Sequence, residues 1–313
     1  MKKTIFICIF VLILFLLSAC RPATQVDVTS ATEKNIEYSF TDTEGTRITL
    51  ADAPQRVVCV YASYSDIWLS AGGTLVGVTD DAAGERQLDV GDAVLVGASK
   101  EPSLEKIASL NPDLVILSAD IAGQLALKEG LSAMKIPAAY FTCDTFDDYK
   151  MIAELFLRLT GREDLQEQLI TTPKAKIAGA LARAEGKTGP TVLQLRFTSN
   201  GAGVKNKGTV AVEVLRDLGA KNIADDYPSL LEELSLEIIL QADPEYIFVT
   251  ALGMQDKEVK TAFEQMIATQ PAWKSLSAVK NGKWFVLERE LYHYKPNDRW
   301  GESYEKLAAI LYP

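Results

Sequence analysis

Apolar residues fill every position from 5 to 17, behind the cationic pair Lys2-Lys3 and ahead of Ser18-Ala19-Cys20. A positive start, an unbroken apolar run and small residues at its end predict a secretory signal peptide. The run falls short of the roughly 20 apolar residues that span a bilayer, so it predicts export and not a retained membrane helix. From 21 to 35 the pattern dissolves into Thr, Ser, Ala and charged residues, the composition of a flexible tether. Alternation returns near Ile36, where residues 36–40 and 46–50 flank Asp42-Thr43-Glu44-Gly45 and predict a small hairpin.

Beyond the hairpin the pattern is duplicated. Ser103-Leu104-Glu105-Lys106-Ile107, a gap of four residues and Pro112-Asp113-Leu114-Val115-Ile116-Leu117 return 132 residues later. The second copy reads Ser235-Leu236-Glu237-Ile238-Ile239, the same gap, then Pro244-Glu245-Tyr246-Ile247-Phe248-Val249. Leu131-Ser132-Ala133-Met134-Lys135 is echoed by Leu276-Ser277-Ala278-Val279-Lys280 at an offset of 145, so the second copy carries 13 extra residues, in the helical stretch 256–270. Each copy alternates strand and helix, which predicts a mainly parallel sheet with helices on both faces. Two copies predict an α/β fold of two similar lobes.

Residues 144–187 lack strand signals. Ile152, Leu155, Phe156 and Leu159 follow helical spacing, Gly161 breaks it, and Leu165, Leu169, Ile177 and Leu181 resume it. This predicts a long helical connector, in which Pro173 should introduce a kink or interruption. The expected organisation is a signal peptide at 1–19, a tether at 20–35, an amino-terminal lobe at 36–143, the connector at 144–187 and a carboxy-terminal lobe at 188–313.

Composition narrows the function. Removing Lys2 and Lys3 takes the formal charge from -10 to -12 (-10 - 2), and an acidic chain offers no clustered cations for phosphate, which argues against nucleic acid. Cys8 and Cys20 belong to the leader region, while Cys59 and Cys143 sit in apolar runs and read as buried thiols, their redox state left open. His293 is the only histidine, too little for a dedicated zinc or manganese site of three or four protein ligands. No Gly-x-Ser-x-Gly elbow or cluster-forming cysteine set is present, and after Gly201-Ala202-Gly203 the next glycine, Gly208, comes too late for a dinucleotide loop. The chain therefore reads as a non-enzyme without a resident cofactor.

Open parallel sheets bind ligands beyond the carboxyl ends of their strands. In the first lobe those ends present Tyr61, Ser63, Tyr64, Asp80, Asp81, Asp120 and Asp144. In the second they present Arg196, Phe197, Asn200, Met254, Arg289, Tyr292, His293, Tyr294, Lys295, Arg299 and Trp300. Aromatic faces beside cations suit a large, flat or anionic ligand such as a metal chelate. The candidate ligand-binding set is Tyr61, Tyr64, Arg196, Phe197, Tyr292, His293, Tyr294, Arg299 and Trp300, with no direct metal ligand except an axial role for His293, Tyr292 or Tyr294 toward haem iron. Glu105 and Glu237 each follow a serine by two positions, where a first-turn carboxylate favours the helix dipole, and the repeat makes them equivalent.

Leu17-Ser18-Ala19-Cys20 resembles the lipobox of bacterial lipoproteins, which implies lipid attachment at Cys20 and a chain tethered to the outer face of the cell membrane. Pro54-Gln55-Arg56-Val57-Val58, residues 103–117, Leu159-Thr160-Gly161-Arg162 and residues 236–249 extend the likeness. With the leader, the repeat and the connector, the chain resembles the substrate-binding lipoproteins of ABC importers for iron-siderophores, haem and cobalamin. The resemblance implies two rigid lobes on one long helix, a monomer, and Glu105 and Glu237 docking onto arginines of the permease, which works with its ATPase. Arg196, Arg289, Lys295 and Arg299 would neutralise an anionic ferric siderophore, the expected ligand, with haem or cobalamin as alternatives. A chelatase-like or nitrogenase-like enzyme of the same architecture is the reading from another class, and a purely structural surface lipoprotein a third. Pro173 and the 295–300 stretch depart from the family's usual pattern.

Overall fold

The computed structural model describes residues 38–313, so the expected signal peptide and tether, with Cys20 and Ile36, lie outside the described residues. The chain enters through the hairpin β1 (Tyr38–Thr41) and β2 (Arg47–Leu50). The first sheet holds β3 (Val57–Cys59), β4 (Gly77–Val78), β5 (Val94–Leu95), β8 (Leu114–Ser118) and β9 (Ala138–Phe141), with the short hairpin β6 (Gly97–Ala98) and β7 (Glu101–Pro102) beside it. Its order is β5-β4-β3-β8-β9, and every pairing is parallel.

The second sheet holds β10 (Thr191–Thr198), β11 (Gly201–Val204), β12 (Lys221–Asn222), β13 (Tyr246–Ala251) and β14 (Trp284–Val286). β10 pairs in parallel with β12 and β13, and β13 with β14, while β11 folds back antiparallel on β10. The shared order is therefore β4-β3-β8-β9 in one lobe and β12-β10-β13-β14 in the other. The repeat offsets carry β8 onto β13 and β9 onto β14, so the duplication seen in the sequence is a duplication of topology.

Both sheets are covered on two sides, as parallel sheets require. Alternate residues divide between the faces: Val57, Cys59, Leu114 and Ile116 join one core, and Val58, Val60, Val115 and Leu117 another. Tyr246 and Phe248 join the first of these cores, together with the connector, while Ile247 and Val249 face a separate one. One hydrophobic core thus runs through both lobes by way of the helices between them.

Those helices begin with α1 (Ala62–Ser70), α2 (Leu104–Ser109) and α3 (Phe146–Thr160). Thr145 and Asp148 form a capping box at the start of α3, and Gly161 ends it at φ 68°, a left-handed value that L side chains rarely adopt. From Glu163 the chain turns helical again in one run, a 3-10 turn over Glu163–Leu165, a π segment over Glu167–Thr171, then α4 (Thr172–Ala184). Pro173 does not break this run. The backbone widens to the π pattern immediately before the ring, where an α pattern would meet its missing N–H and its clash with the preceding turn. α4 packs against the terminal helix Trp300–Leu311, and Arg183 Nη2 donates to Tyr312 O at 3.0 Å.

Candidate functional site

The carboxyl ends of the two sheets bound a cleft with two adjoining cavities. The deeper encloses about 590 Å³ and is lined from one lobe by Tyr61, Ser63, Arg86, Ser99, Asp120 and Ile121 and from the other by Leu252, His293 and Tyr294. The outer encloses about 1100 Å³, shares Asp81, Glu85, Arg86 and Lys100 with the first, and adds Asp256, Lys257 and Arg289. The deeper volume lies within the range of ordinary small-molecule pockets. Gly123 forms part of its wall, and a Cβ there would fall 1.8 Å from the Lys100 carbonyl, so this close approach of two backbones needs glycine.

Polar side chains of the second lobe reach across the cleft floor. Lys295 Nζ pairs with Asp144 Oδ1 at 2.8 Å, Tyr294 Oη donates to Glu85 Oε2 at 3.0 Å, and Asn297 Nδ2 donates to Asp66 Oδ2 at 2.6 Å and to Ser63 O at 3.1 Å. Asp66 also pairs with Arg86 Nη2 at 2.6 Å. The Tyr294 ring lies 4.8 Å from the Arg86 guanidinium carbon and 5.0 Å from that of Arg289, and Arg289 donates to its hydroxyl. Tyr294 is thus held by both lobes.

Burial sets the proton states. His293 is pushed down to about 4, first by burial and then by Arg196 and Arg289, so its imidazole is neutral at pH 7. Burial lowers Arg196, and its Nε is buried without a hydrogen-bond partner among the described residues. Burial works against the Lys295 ammonium, yet Tyr61, Cys143 and Asp144 around it raise it overall. Of these three Asp144 also accepts the Lys295 hydrogen bond, at 2.8 Å, while burial drives the Cys143 thiol up to about 12. Burial likewise raises Asp120, against Lys295 and with Asp144. Cys59 and Cys143 are both free and buried.

The nine side chains assigned to a ligand from sequence divide into two groups. Tyr61, His293 and Tyr294 line the deeper cavity, and half-buried Arg196 sits close enough to His293 and Asp144 to shift or be shifted by them. The others lie elsewhere. Tyr64 is fully buried and its hydroxyl donates to Phe141 O at 2.8 Å; Tyr292 donates to Ser303 O at 2.8 Å. Phe197 packs in the carboxy-terminal core against Phe263, and Trp300 packs in the connector core against Phe146. Arg299 is exposed and paired with Glu302 at 2.8 Å. These five lie away from the two cavities, in the cores or at the surface: a residue beside a strand end faces either cleft or core, and amphipathic rings satisfy both.

Of the cations expected to meet an anionic ligand, Arg289, Lys295 and Arg299 are paired with Glu85, Asp144 and Glu302, whereas Arg196 keeps a buried Nε without a hydrogen-bond partner among the described residues. Sequence reasoning missed Glu85, Arg86, Ser99 and Lys100. Glu85 and Arg86 follow the short helix Asp80–Ala83, and Ser99 and Lys100 form the turn between β6 and β7, segments without periodicity, although the place of the first two after β4 was a usable signal. Glu105 and Glu237 are exposed at matching second positions of α2 and the helix Leu236–Ala242, whose caps Ser103 and Ser235 accept from Lys106 N and Ile238 N.

Two lobes of one topology, a helical bridge and a ligand-sized cleft at the strand ends define a bilobed solute-binding protein. The chain belongs to the periplasmic binding protein family, whose profile matches residues 57–291. It is similar to the Fe(3+)-citrate-binding protein YfmC of Bacillus subtilis, 27% identical over 91% of this chain and 89% of the relative. The iron(3+)-hydroxamate-binding protein FhuD of the same organism is 24% identical over 88% and 87%. Among solved structures, Staphylococcus aureus SirA complexed with staphyloferrin B superposes with a TM-score of 0.64 at 25% identity over 88% of this chain and 97% of that one. The periplasmic haem-binding protein HutB of Vibrio cholerae gives 0.66 at 19% over 83% and 99%, a likeness of fold.

Proposed function

We propose that this protein is the extracytoplasmic solute-binding component of an ABC importer, which takes a ferric siderophore into the inter-lobe cleft and delivers it to the permease. The observation that carries this reading is the cavity of about 590 Å³, lined from both lobes and edged by tyrosines and cations. Names of similar proteins support an iron chelate as the solute: ferric citrate, ferric hydroxamate and staphyloferrin B belong to those proteins. Tyr61 and Tyr294 would pack on the chelate, and Arg196 and Arg86, each with a buried guanidinium nitrogen lacking a partner among the described residues, would donate to it. Glu105 and Glu237 would dock one lobe each onto the permease, whose ATPase drives release. Removal of the leader 1–19 and lipid on Cys20, with 20–35 as the tether, would hold a monomer at the membrane.

A haem receptor is the second reading, favoured by one observation: His293 lines the cavity and is neutral at pH 7, as an iron ligand must be. The test is a titration of the full chain in detergent with ferric citrate, a ferric hydroxamate, a ferric catecholate, haemin and cobalamin, read by quenching of intrinsic fluorescence. Saturation at micromolar or lower concentration by an iron siderophore is the expected result. Saturation by haemin alone selects the second reading, and no saturable ligand sinks both.

A further inference from the structure

Three cations of the cleft, Arg86, Arg289 and Lys295, are each paired with an acid, so an anionic solute that engages one of these three needs it released. Three acids hold cleft cations, and they differ in how firmly. Asp66 holds Arg86 at 2.6 Å with 27% of its side chain exposed, and Asp144 holds Lys295 at 2.8 Å with 32% exposed. Glu85 lies 3.8 Å from Arg289 Nη2 with 63% exposed, while Arg289 itself is 12% exposed. The Glu85 carboxylate is therefore the most loosely held and the most hydrated of the three.

Its contacts are also those a solute carboxylate would make. Arg289 donates to Tyr294 Oη, which donates to Glu85 Oε2, and Glu85 borders both cavities. Withdrawal of that carboxylate leaves the Tyr294 hydroxyl without its acceptor and two guanidiniums, Arg86 and Arg289, around one ring. Water and a solute carboxylate can fill the gap, but only the latter restores a negative charge beside Arg289.

We infer that Glu85 is a displaceable stand-in for ligand: its carboxylate occupies the Arg289–Tyr294 anion position and is exchanged for a carboxylate of the incoming iron chelate. The inference rests on the solute-binding reading above and narrows it to carboxylate-bearing chelates. It makes Glu85 a specificity determinant by competition, where a direct ligand contact would act by attraction.

The test compares the full chain with Glu85→Gln, a change at an exposed side chain, in detergent at fixed ionic strength. Each is titrated with ferric citrate and with a neutral ferric trihydroxamate. Exchange predicts that Glu85→Gln tightens ferric citrate by about tenfold, equivalent to roughly 1.4 kcal/mol, and leaves the neutral chelate unchanged. Equal or weaker binding of ferric citrate by the variant, or equal tightening of both chelates, overturns the exchange while the solute-binding reading stands. Saturation of the parent chain by neutral chelates alone also overturns it. Failure of every chelate, haemin and cobalamin to saturate the parent chain removes the solute-binding reading and the exchange together.

Discussion

The two lobes share four strands in one order and differ where those strands end. The amino-terminal sheet is extended by the parallel strand β5, the carboxy-terminal one by the antiparallel β11. At the cleft floor the first lobe supplies acids, Asp66, Glu85 and Asp144, and the second supplies donors, Asn297, Tyr294 and Lys295. Strand interiors are buried on both faces and tolerate little change, whereas loop residues beyond them are free to diverge. Here that divergence is complementary in hydrogen bonding, acceptors facing donors. Each contact has to break for the lobes to part, so the halves that the duplication made alike are tied together by what it left unlike.

Where the lobes stayed alike, the comparison predicts equal roles. Reversal of both Glu105→Arg and Glu237→Arg is expected to abolish uptake of the iron chelate by cells while leaving its Kd unchanged. Opposed carboxylate and guanidinium groups set register and orientation, so like charges would repel the docked complex. Single reversals should each give a partial loss of similar size. Lost ligand affinity in the double variant would refute the docking role.

Where the lobes differ, breaking a cross-lobe contact should cost stability. Lys295→Met leaves Asp144 without its cation beside Asp120, and loss of one partner of a buried pair costs about 3–5 kcal/mol. Asp144 keeps a third of its side chain in water, which places the expected loss near the lower end, about 3 kcal/mol by urea unfolding. Asp144→Asn added to Lys295→Met should recover much of it, since no unpaired charge remains. No recovery would mean that Lys295 acts through its packing.

The fold was legible because period and repeat are properties of the interior. Val57 to Val60, Leu114 to Leu117 and Tyr246 to Val249 had to be apolar on both faces, and the offset of Ser103 to Ser235 copied that pattern. The effect of Pro173 was not legible, since a kink and a π turn answer the same missing N–H. The site was only partly legible. Tyr61, His293 and Tyr294 were found from strand ends, but nothing in composition separates Tyr294, shared between lobes, from Tyr292, turned into the core two residues earlier. Glu85 and Arg86 lie in an aperiodic turn, and their meaning comes from Arg289 and Asp66, far away in the chain.

His293 belongs to the carboxy-terminal lobe alone and gives the comparison a pH dependence. Its pKa is about 4 in the folded chain and 6.5 as a free side chain. Above pH 6.5 both states hold a neutral imidazole and it has no effect. As pH falls from 6.5 toward 4 the unfolded chain takes up a proton that the folded chain refuses, so folding weakens, by an amount approaching about 3 kcal/mol, and the loss levels off below that. Other groups titrate in this range as well, so the measurement is the difference between the parent chain and His293→Gln from pH 7 to 4. Identical profiles would refute the buried neutral state.

Each lobe buries one glutamine in its sheet region, and the smallest predicted effect separates them. Gln124 is fully satisfied: its Nε2 donates to Val60 O at 2.7 Å and Ser99 O at 2.9 Å, and its Oε1 accepts from Ser118 N at 2.7 Å. It therefore fastens three segments at the cleft end of the first sheet. Gln194 donates to Leu195 O and Thr250 Oγ1, both at 2.8 Å, but its Oε1 is buried without a partner. Replacement by methionine leaves three backbone groups unpaired in the first case, expected to cost about 2–3 kcal/mol. In the second it removes an unsatisfied oxygen along with two hydrogen bonds, so the two terms partly offset and the expected cost is under about 1 kcal/mol. Because Gln124 also fixes Ser99, Gln124→Met should weaken chelate binding as well, whereas Gln194→Met should not. Equal costs in the two lobes would show that the glutamines, like the strands around them, are still doing the same job.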